Sequence, residues 1–452
     1  MKILMKPVIG LQEKKADTSY RLMTYVVEQE IEEGVLLYNT LTCAMALVTH
    51  EEAQHLTEVE GLVENWFLVP VDHNDKRLCR MARVSAMLQK KQPKGIRGYT
   101  IVTTTGCNAR CPYCYEQGTK PIHMTTETAV KVAQYIISHR GEQKKIKIHW
   151  FGGEPLYNFK VMDCICNRLR EHDIPYHSTM TTNGYLFSER LVEKAINLWN
   201  MKKVQITIDG TEDNYNRIKG YVHSNDRSPY HRVMENIKRL LDTGTVKVNI
   251  RVHLTHDNLD DIWALTRELV ERFQGYDNLI IYYYPIFEQF GPTAKARTSQ
   301  QRQLIYEGKN KLQNYLKEWG NIGKTKAKLR KGIRINMCKV DSGDAVMILP
   351  DGRLGLCEHH MENHFIGHID NDQWDEEEVK KSREYWEEIP ECDTCAYYPQ
   401  CFRLKICGTY SICFKEWRED NIETIRQQMI DGYHAELKEL TGEQSPCEME
   451  NK

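Results

Sequence analysis

Residues 99–114 read Tyr99-Thr-Ile-Val-Thr-Thr-Thr-Gly-Cys107-Asn-Ala-Arg-Cys111-Pro-Tyr-Cys114. The first five side chains are β-branched or aromatic, which predicts a strand, and Gly106 ends it. Three thiols therefore sit in the loop just past a strand. The same pattern recurs at residues 147–151, 177–181, 204–208, 247–252 and 279–283, giving six runs in all. Each is followed by an amphipathic stretch, near residues 125–139, 158–172, 188–199, 230–242, 258–273 and 298–318. Alternation of this kind builds a parallel sheet through right-handed crossovers, and six units rather than eight leave the barrel open. Residues with chemical potential follow the strands. Gly106-Cys107 comes after the first, Gly152-Gly153-Glu154-Pro155 after the second, Thr182-Asn183-Gly184 after the third and Asp209-Gly210 after the fourth. They are expected to gather at the C-terminal mouth of the barrel, where such folds hold their chemistry.

The surrounding chain has 452 residues, enough for several domains that each bury a core. Before the first run, residues 20–27, 34–39 and 66–69 read as short strands and residues 49–56 as a helix. Four regions are expected: residues 1–92, a small α+β module; 93–325, the partial barrel; 326–414, a cysteine-rich domain; and 415–452, a charged helix and tail. The 61 Lys and Arg against 63 Asp and Glu leave a net charge of −2, so no bulk field favours nucleic acid or an anionic membrane. No run approaches the ~18 apolar residues a membrane span needs. Lys6 and Pro7 interrupt the N-terminal apolar stretch before a signal peptide could form, so a cytoplasmic location is expected.

Ten of the 15 cysteines fall in two groups, Cys107, Cys111 and Cys114, then Cys338, Cys357, Cys392, Cys395, Cys401, Cys407 and Cys413. Cytosolic thiols stay reduced, so clustering points to metal rather than disulfides. A Cys-x3-Cys-x2-Cys triplet supplies three thiolates. On a four-iron, four-sulfur (4Fe-4S) cubane that leaves one iron open for a substrate or cofactor. Structural zinc would want a fourth ligand, and the nearest imidazole, His123, stands at no familiar spacing.

At these residues the chain resembles the radical S-adenosylmethionine (SAM) superfamily. The triplet with aromatic Tyr113 before its last cysteine, the Gly-Gly-Glu-Pro turn and Thr182-Asn183-Gly184 occur in that family's order. The resemblance implies a partial (βα)6 TIM-type barrel whose open iron is chelated by SAM. It further implies that Glu154 accepts from the SAM ammonium, that Gly152 and Gly153 let backbone approach it, and that Tyr113 and Asn183 belong to the SAM site. Arg217 and Arg251 are candidate cations for the SAM carboxylate. Reductive cleavage of SAM would yield a 5′-deoxyadenosyl radical that takes a hydrogen atom from substrate, with electrons from a flavodoxin- or ferredoxin-type donor.

The second cysteine group resembles the SPASM extension of that superfamily. It implies two auxiliary 4Fe-4S clusters, and so three clusters in total. Cys338, Cys357 and Cys407 would serve the first auxiliary cluster, and Cys392, Cys395, Cys401 and Cys413 the second. Family members usually place three residues before the cysteine matching Cys407, and this chain has five. The fourth ligand of the first auxiliary cluster is not evident, and His359, His360, His364 and His368 lie nearby. Glu358 stands where some sulfatase-maturing relatives carry a carboxylate thought to take a proton, which makes it a candidate catalytic base.

SPASM-type enzymes modify peptides or proteins, so the resemblance implies a precursor peptide as substrate and partner. Leu36-Leu-Tyr-Asn-Thr-Leu41, an apolar helix after it, and Thr49-His-Glu-Glu52 resemble the leading segment of peptide maturases. Such a module pairs a leader peptide with a sheet edge or merely covers the barrel. Three functions follow: a peptide maturase making a thioether or carbon-carbon crosslink or a related change, an anaerobic formylglycine-generating sulfatase maturase, and a non-catalytic iron-sulfur carrier. An open iron and Glu154 argue against the carrier.

Overall fold

The computed structural model describes residues 1–91, 93–222, 224–286, 288, 295–319, 328–335, 338–360, 364–371, 373–383, 388–401 and 413–441. The chain begins with β1 (Lys2–Met5), β2 (Tyr20–Leu22), β3 (Val26–Ile31), β4 (Gly34–Asn39), β5 (Met45–Val48), α1 (His50–Gln54), β6 (Leu68–Pro70) and α2 (Asp75–Gln89). Strands β1, β5, β4 and β3 form an antiparallel sheet in that order, and β2 pairs with β6. The apolar helix expected after Leu41 is not there. Asn39 Oδ1 accepts the N–H groups of Leu41 (3.0 Å) and Thr42 (3.1 Å), and Cys43 adopts φ 60°. The chain reverses so tightly that Tyr38 pairs with Met45, and the apolar run becomes β5.

The barrel follows as β7 (Gly98–Thr104), α3 (Thr126–His139), β8 (Ile146–Gly152), α4 (Phe159–Glu171), β9 (Tyr176–Thr182), α5 (Glu189–Asn197), β10 (Met201–Ile208), α6 (Glu212–Lys219), α7 (Pro229–Asp242), β11 (Lys247–Leu254), α8 (Leu259–Phe273), β12 (Leu279–Pro285) and α9 (Ser299–Glu318). All six expected runs lie within β7 to β12, which pair in parallel in chain order. The fourth crossover holds two helices where the sequence reading gave one. Gly220, at φ 50°, ends the added α6 in the left-handed conformation that glycine adopts freely.

The remaining elements are β13 (Ala345–Ile348), β14 (Arg353–Gly355), β15 (Gly367–His368), α10 (Glu376–Ser382) and α11 (Lys415–Thr441). β13 adds to β7 in parallel, and β14 and β15 continue the sheet antiparallel. Among the described residues the ladder thus runs from β12 at one edge to β15 at the other and does not close. The architecture is a partial α/β barrel widened by cysteine-bearing segments.

Side-chain alternation separates the two faces. Ile101, Ile148, Trp150, Met180, Val204, Ile206, Val248, Ile250, Leu279 and Ile281 are each at most 1% exposed and pack beneath the helices. Truncating one to Ala costs about 2 to 5 kcal/mol. The opposite row is polar. His149 Nδ1 meets Thr179 Oγ1 at 2.8 Å, and Tyr282 donates to Gln205 Oε1 at 2.6 Å. Filled barrels carry branched apolar layers here, so this interior is built to face a ligand.

A second core lies elsewhere. The N-terminal sheet packs against α11 and residues 397–401, with Tyr25 stacked on Tyr398 at 5.9 Å. Thr40 donates to the Ala396 carbonyl at 2.5 Å, and Arg426 to that of Glu28 at 3.2 Å.

Candidate active site

The loop leaving β7 carries Cys107, Cys111 and Cys114, all partly buried. Burial pushes the Cys107 thiol up to about 12 and Cys114 up to about 11, and raises Cys111 as well. Cys111 and Cys114 are close enough to Cys107 to add to its shift. Three thiols in such a place ionise together only if a cationic centre compensates them, and an iron-sulfur cluster does so. His123 does not join them, because its Nδ1 is held by Thr104 Oγ1 at 2.8 Å. Among the described residues no three His, Cys, Asp or Glu side chains converge as a single metal ion requires. The donor set fits a cluster better than zinc.

The turn after β8 is placed by close backbone approach. A Cβ on Gly152 would lie 2.1 Å from the Thr104 carbonyl oxygen, and one on Gly153 would lie 2.5 Å from that of Gly106. The two glycines therefore let this turn pack on the loop that presents the cysteines. Glu154 has a set of partners within the protein. It is wholly buried, and its oxygens accept from Thr182 Oγ1 (2.7 and 2.9 Å), the Asn183 N–H (2.8 Å) and the Leu156 N–H (3.1 Å). A carboxylate with those partners ties the second turn to the third. Burial, opposed by the Asn183 and Thr182 hydrogen bonds, pushes it up to about 7. Asn183 Nδ2 in turn donates to Asn108 Oδ1 at 2.8 Å and lies 3.9 Å from Cys107 Sγ, so it faces the cluster loop.

Tyr113 is anchored by its hydroxyl, which donates to Asp209 Oδ2 at 2.7 Å. Lys219 Nζ lies 2.7 Å from the same carboxylate oxygen, and His253 Nδ1 lies 2.8 Å from Asp209 Oδ1. Although burial opposes its charge, Lys219 and His253 hold Asp209 well below the usual carboxylate range. Asp209 holds Lys219 above its ordinary value against the same burial, and desolvation, opposed by Asp209, holds His253 below its ordinary value. Arg217 does not fill the expected role. It lies exposed on α6 and donates to Asn214 of its own helix at 2.8 Å. The helical repeat turns Lys219, two residues on, inward instead. Arg251 is inside the barrel, its guanidinium 4.1 Å from the Tyr284 ring, with a buried Nε that has no hydrogen-bond partner among the described residues. Lys219 and His253 were missed by sequence reasoning. The available signal was Tyr215 and Lys219 four apart on a helix following Asp209-Gly210.

In the second cysteine group, Lys339 lies within electrostatic reach of Cys338 and Cys357, and its Nζ forms an ion pair with Glu358. Glu358 is thus engaged by a cation. His364 contacts Glu378 at 3.2 Å and His368 the Asp351 carbonyl at 3.0 Å, while His359 lies against Tyr115 with ring centroids 5.2 Å apart. Cys392, Cys395, Cys401 and Cys413 line one small cavity with Trp417 and Arg418, whose Nη1 donates to Cys413 Sγ at 3.3 Å. Cys407, and the side chain of His360, lie outside the described residues.

Residues 101–269 match the sequence model of the radical SAM superfamily, so the barrel carries a radical SAM domain, and the chain is an enzyme. A GTP 3′,8-cyclase of Clostridium perfringens is 26% identical over 287 residues, 60% of this chain and 83% of the cyclase. The structure of anSMEcpe with bound AdoMet and Cp18Cys peptide matches 75% of this chain and 99% of its own, at TM-score 0.56 and 14% identity. That of Streptococcus suis SuiB bound to precursor peptide SuiA matches 87% and 98%, at TM-score 0.50 and 13% identity. At these identities the two structures establish the shared fold.

Proposed function

We propose that the enzyme is a peptide maturase that takes a hydrogen atom from a ribosomally made precursor and installs a thioether or carbon-carbon crosslink or a related modification. SAM and a 4Fe-4S cluster would supply a 5′-deoxyadenosyl radical at the barrel mouth. Cys107, Cys111 and Cys114 hold that cluster, Asn183 and the Gly152-Gly153 turn shape its cradle, and Arg251 offers a donor to a carboxylate in the lumen. Cys338, Cys357 and Cys407 serve one auxiliary cluster, and Cys392, Cys395, Cys401 and Cys413 another, so the chain carries three. A flavodoxin- or ferredoxin-type protein delivers electrons. Residues 1–92 receive the leader of the precursor.

The observation that carries this reading is the position of Tyr115. This partly buried residue follows Cys114 directly, and both Cys114 and Cys357 act electrostatically on its hydroxyl. Cys357 of the second group is therefore near Cys114 of the first, which supports an enzyme that generates a substrate radical and then removes an electron from it. The peptides bound by anSMEcpe and SuiB on the same fold support the substrate class.

Anaerobically reconstituted enzyme should hold about twelve iron and about twelve sulfide. Cys107→Ala/Cys111→Ala/Cys114→Ala should keep about eight iron and form no 5′-deoxyadenosine; continued formation would remove the assignment. A short cysteine-bearing peptide encoded beside the gene should lose about 2 Da on crosslinking, the mass of two hydrogens. Turnover of a sulfatase-derived Cys or Ser peptide in its place would favour formylglycine formation.

A further inference from the structure

We propose that the barrel lumen binds an acidic side chain, Asp or Glu, of the precursor peptide, with Arg251 taking its carboxylate and Lys203 and Lys247 drawing it in. This rests on the peptide-maturase reading and names the substrate residue that the lumen selects. Strands β7 to β12 contain no Asp or Glu. Alternation places Lys147 of β8, Lys203 of β10, and Lys247 and Arg251 of β11 on the lumen face, because Ile148, Val204, Val248 and Ile250 beside them are buried under the helices. Lys203 and Lys247 are register partners, and all three lysines are exposed and in no ion pair among the described residues. Glu358, beyond these strands, is already held by Lys339. The strands thus give the lumen positive charge and no carboxylate to balance it.

Arg251 sits inside the ladder, level with Thr207 of β10 and Tyr282 of β12, and β11 runs on to Leu254. The Tyr284 ring holds its guanidinium in place and leaves the charge uncompensated. Arg251 makes no hydrogen bond or ion pair among the described residues, and its Nε is buried. On the same face, two residues nearer the start of β11, Asn249 Oδ1 is also buried without a partner among the described residues. Other polar groups of the lumen find each other: Tyr282 donates to Gln205, and His149 meets Thr179. A buried donor and a buried acceptor left open on one face cost stability unless a ligand supplies the opposite groups. A peptide Asp or Glu brings both, a carboxylate for Arg251 and a main-chain N–H for Asn249. The planar guanidinium suits a carboxylate by charge and by its two parallel acceptors. SAM is another source of that group, but the turns assigned to its cradle follow β8 and β9. Lys247 lies four residues before Arg251, about 13 Å along the strand. A ligand that meets both runs down the lumen.

The test uses the anaerobically reconstituted enzyme and fluorescein-labelled synthetic copies of the short peptide encoded beside the gene. One copy has the natural sequence, and in the others each Asp or Glu is changed singly to Asn or Gln. Peptide affinity is read by fluorescence anisotropy and SAM affinity by equilibrium dialysis. One amide change should weaken binding to the unaltered enzyme about 10- to 100-fold, the loss of a charge-assisted pair. Arg251→Gln should bind the natural peptide as weakly and no longer distinguish it from that amide copy. Lys203→Gln/Lys247→Gln, at exposed positions, should slow association of the natural peptide at low salt and flatten its dependence on salt. A modified segment without Asp or Glu would overturn the proposal, as would equal binding of every copy or a lysine pair with unaltered association. Full discrimination by Arg251→Gln would overturn it too, and a fall in SAM affinity beside it would assign the guanidinium to the SAM carboxylate. Should Arg251→Gln not fold, the amide copies on the unaltered enzyme and the lysine pair decide by the same criteria. Failure of the maturase reading would look different, because no copy, the natural one included, would then bind or change mass.

Discussion

Glu154→Gln separates a carboxylate that contacts SAM from one that braces the site. In the structure Oε1 accepts from the Leu156 N–H and Oε2 from the Asn183 N–H, with Thr182 Oγ1 reaching both oxygens. The Thr182 hydroxyl can rotate to accept from a glutamine amide. The two backbone donors cannot, so in either orientation the new NH2 faces an N–H group. The change removes a charge-assisted bond worth about 1.5 to 3 kcal/mol and leaves a buried donor unmet at about 1 to 3 kcal/mol. Allowing for partial relaxation, a local loss of about 2 to 4 kcal/mol is expected. Each 1.4 kcal/mol is tenfold, so the Leu156 or Asn183 amide should exchange about 30- to 700-fold faster. Hydrogen-deuterium exchange with mass spectrometry at pH 8 tests this, since burial pushes Glu154 only up to about 7 and the carboxylate is ionised there. Because Asn183 faces Cys107, chelator-driven iron loss should also accelerate. Unchanged exchange and iron retention beside weakened SAM affinity would refute the bracing role and return Glu154 to the ammonium.

Glu358→Gln should lower iron retention at Cys338 and Cys357 by removing the partner of Lys339, while uncoupled SAM cleavage stays intact. A variant with full iron that cleaves SAM yet fails only in peptide modification would restore the general-base reading. Glu388 gives a pH signature. Burial opposes its charge, but hydrogen bonds from Tyr398, Lys76 and Arg80 bring it down to about 2 from 4.5. A depressed carboxylate contributes stability that is present above pH 4.5 and lost as pH falls through about 2. In iron-free protein, Glu388→Gln should therefore destabilise at neutral pH and converge on the unaltered chain below about pH 2, by fluorescence-monitored denaturation; a gap independent of pH would reject the network.

Much of the barrel was legible because its signals are local. Alternating β-branched runs and the glycines that end them mark β7 to β12, and the cysteine triplet falls in one loop. The errors arose where tertiary contacts decide. The run after Leu41 is apolar at every spacing, so only the Asn39 turn, which bends the chain back on β4, selects strand over helix. Arg217 and Lys219 are both cations on one short helix, and their difference is which way the helix is rolled against Asp209. Glu154 carries the charge an ammonium would want, and beside the nearby Leu156 N–H its other partners, Thr182 and Asn183, come from β9 and the turn beyond it. No feature near residue 154 in the sequence announces those two.

The division into regions behaves the same way. Composition sets residues 1–92 apart, but their core is completed by distant chain: Tyr398 stacks on Tyr25, and Met429 and Tyr433 of α11 join the same cluster of buried side chains. Cys392, Cys395 and Cys413 pack against that core as well. Metal binding that orders a loop contributes to folding, so iron at these cysteines and stability of the N-terminal sheet should be coupled. Deleting residues 1–92 would strip the sheet from α11 and from the cavity lined by these thiols. Loss of peptide modification in such a truncation would then report a damaged auxiliary site as readily as a lost leader contact. Substitutions at exposed positions of β3 leave the shared core intact: Glu28 is exposed while its neighbours Val26 and Val27 are buried. An altered precursor affinity with unaltered iron content would then isolate recognition from folding.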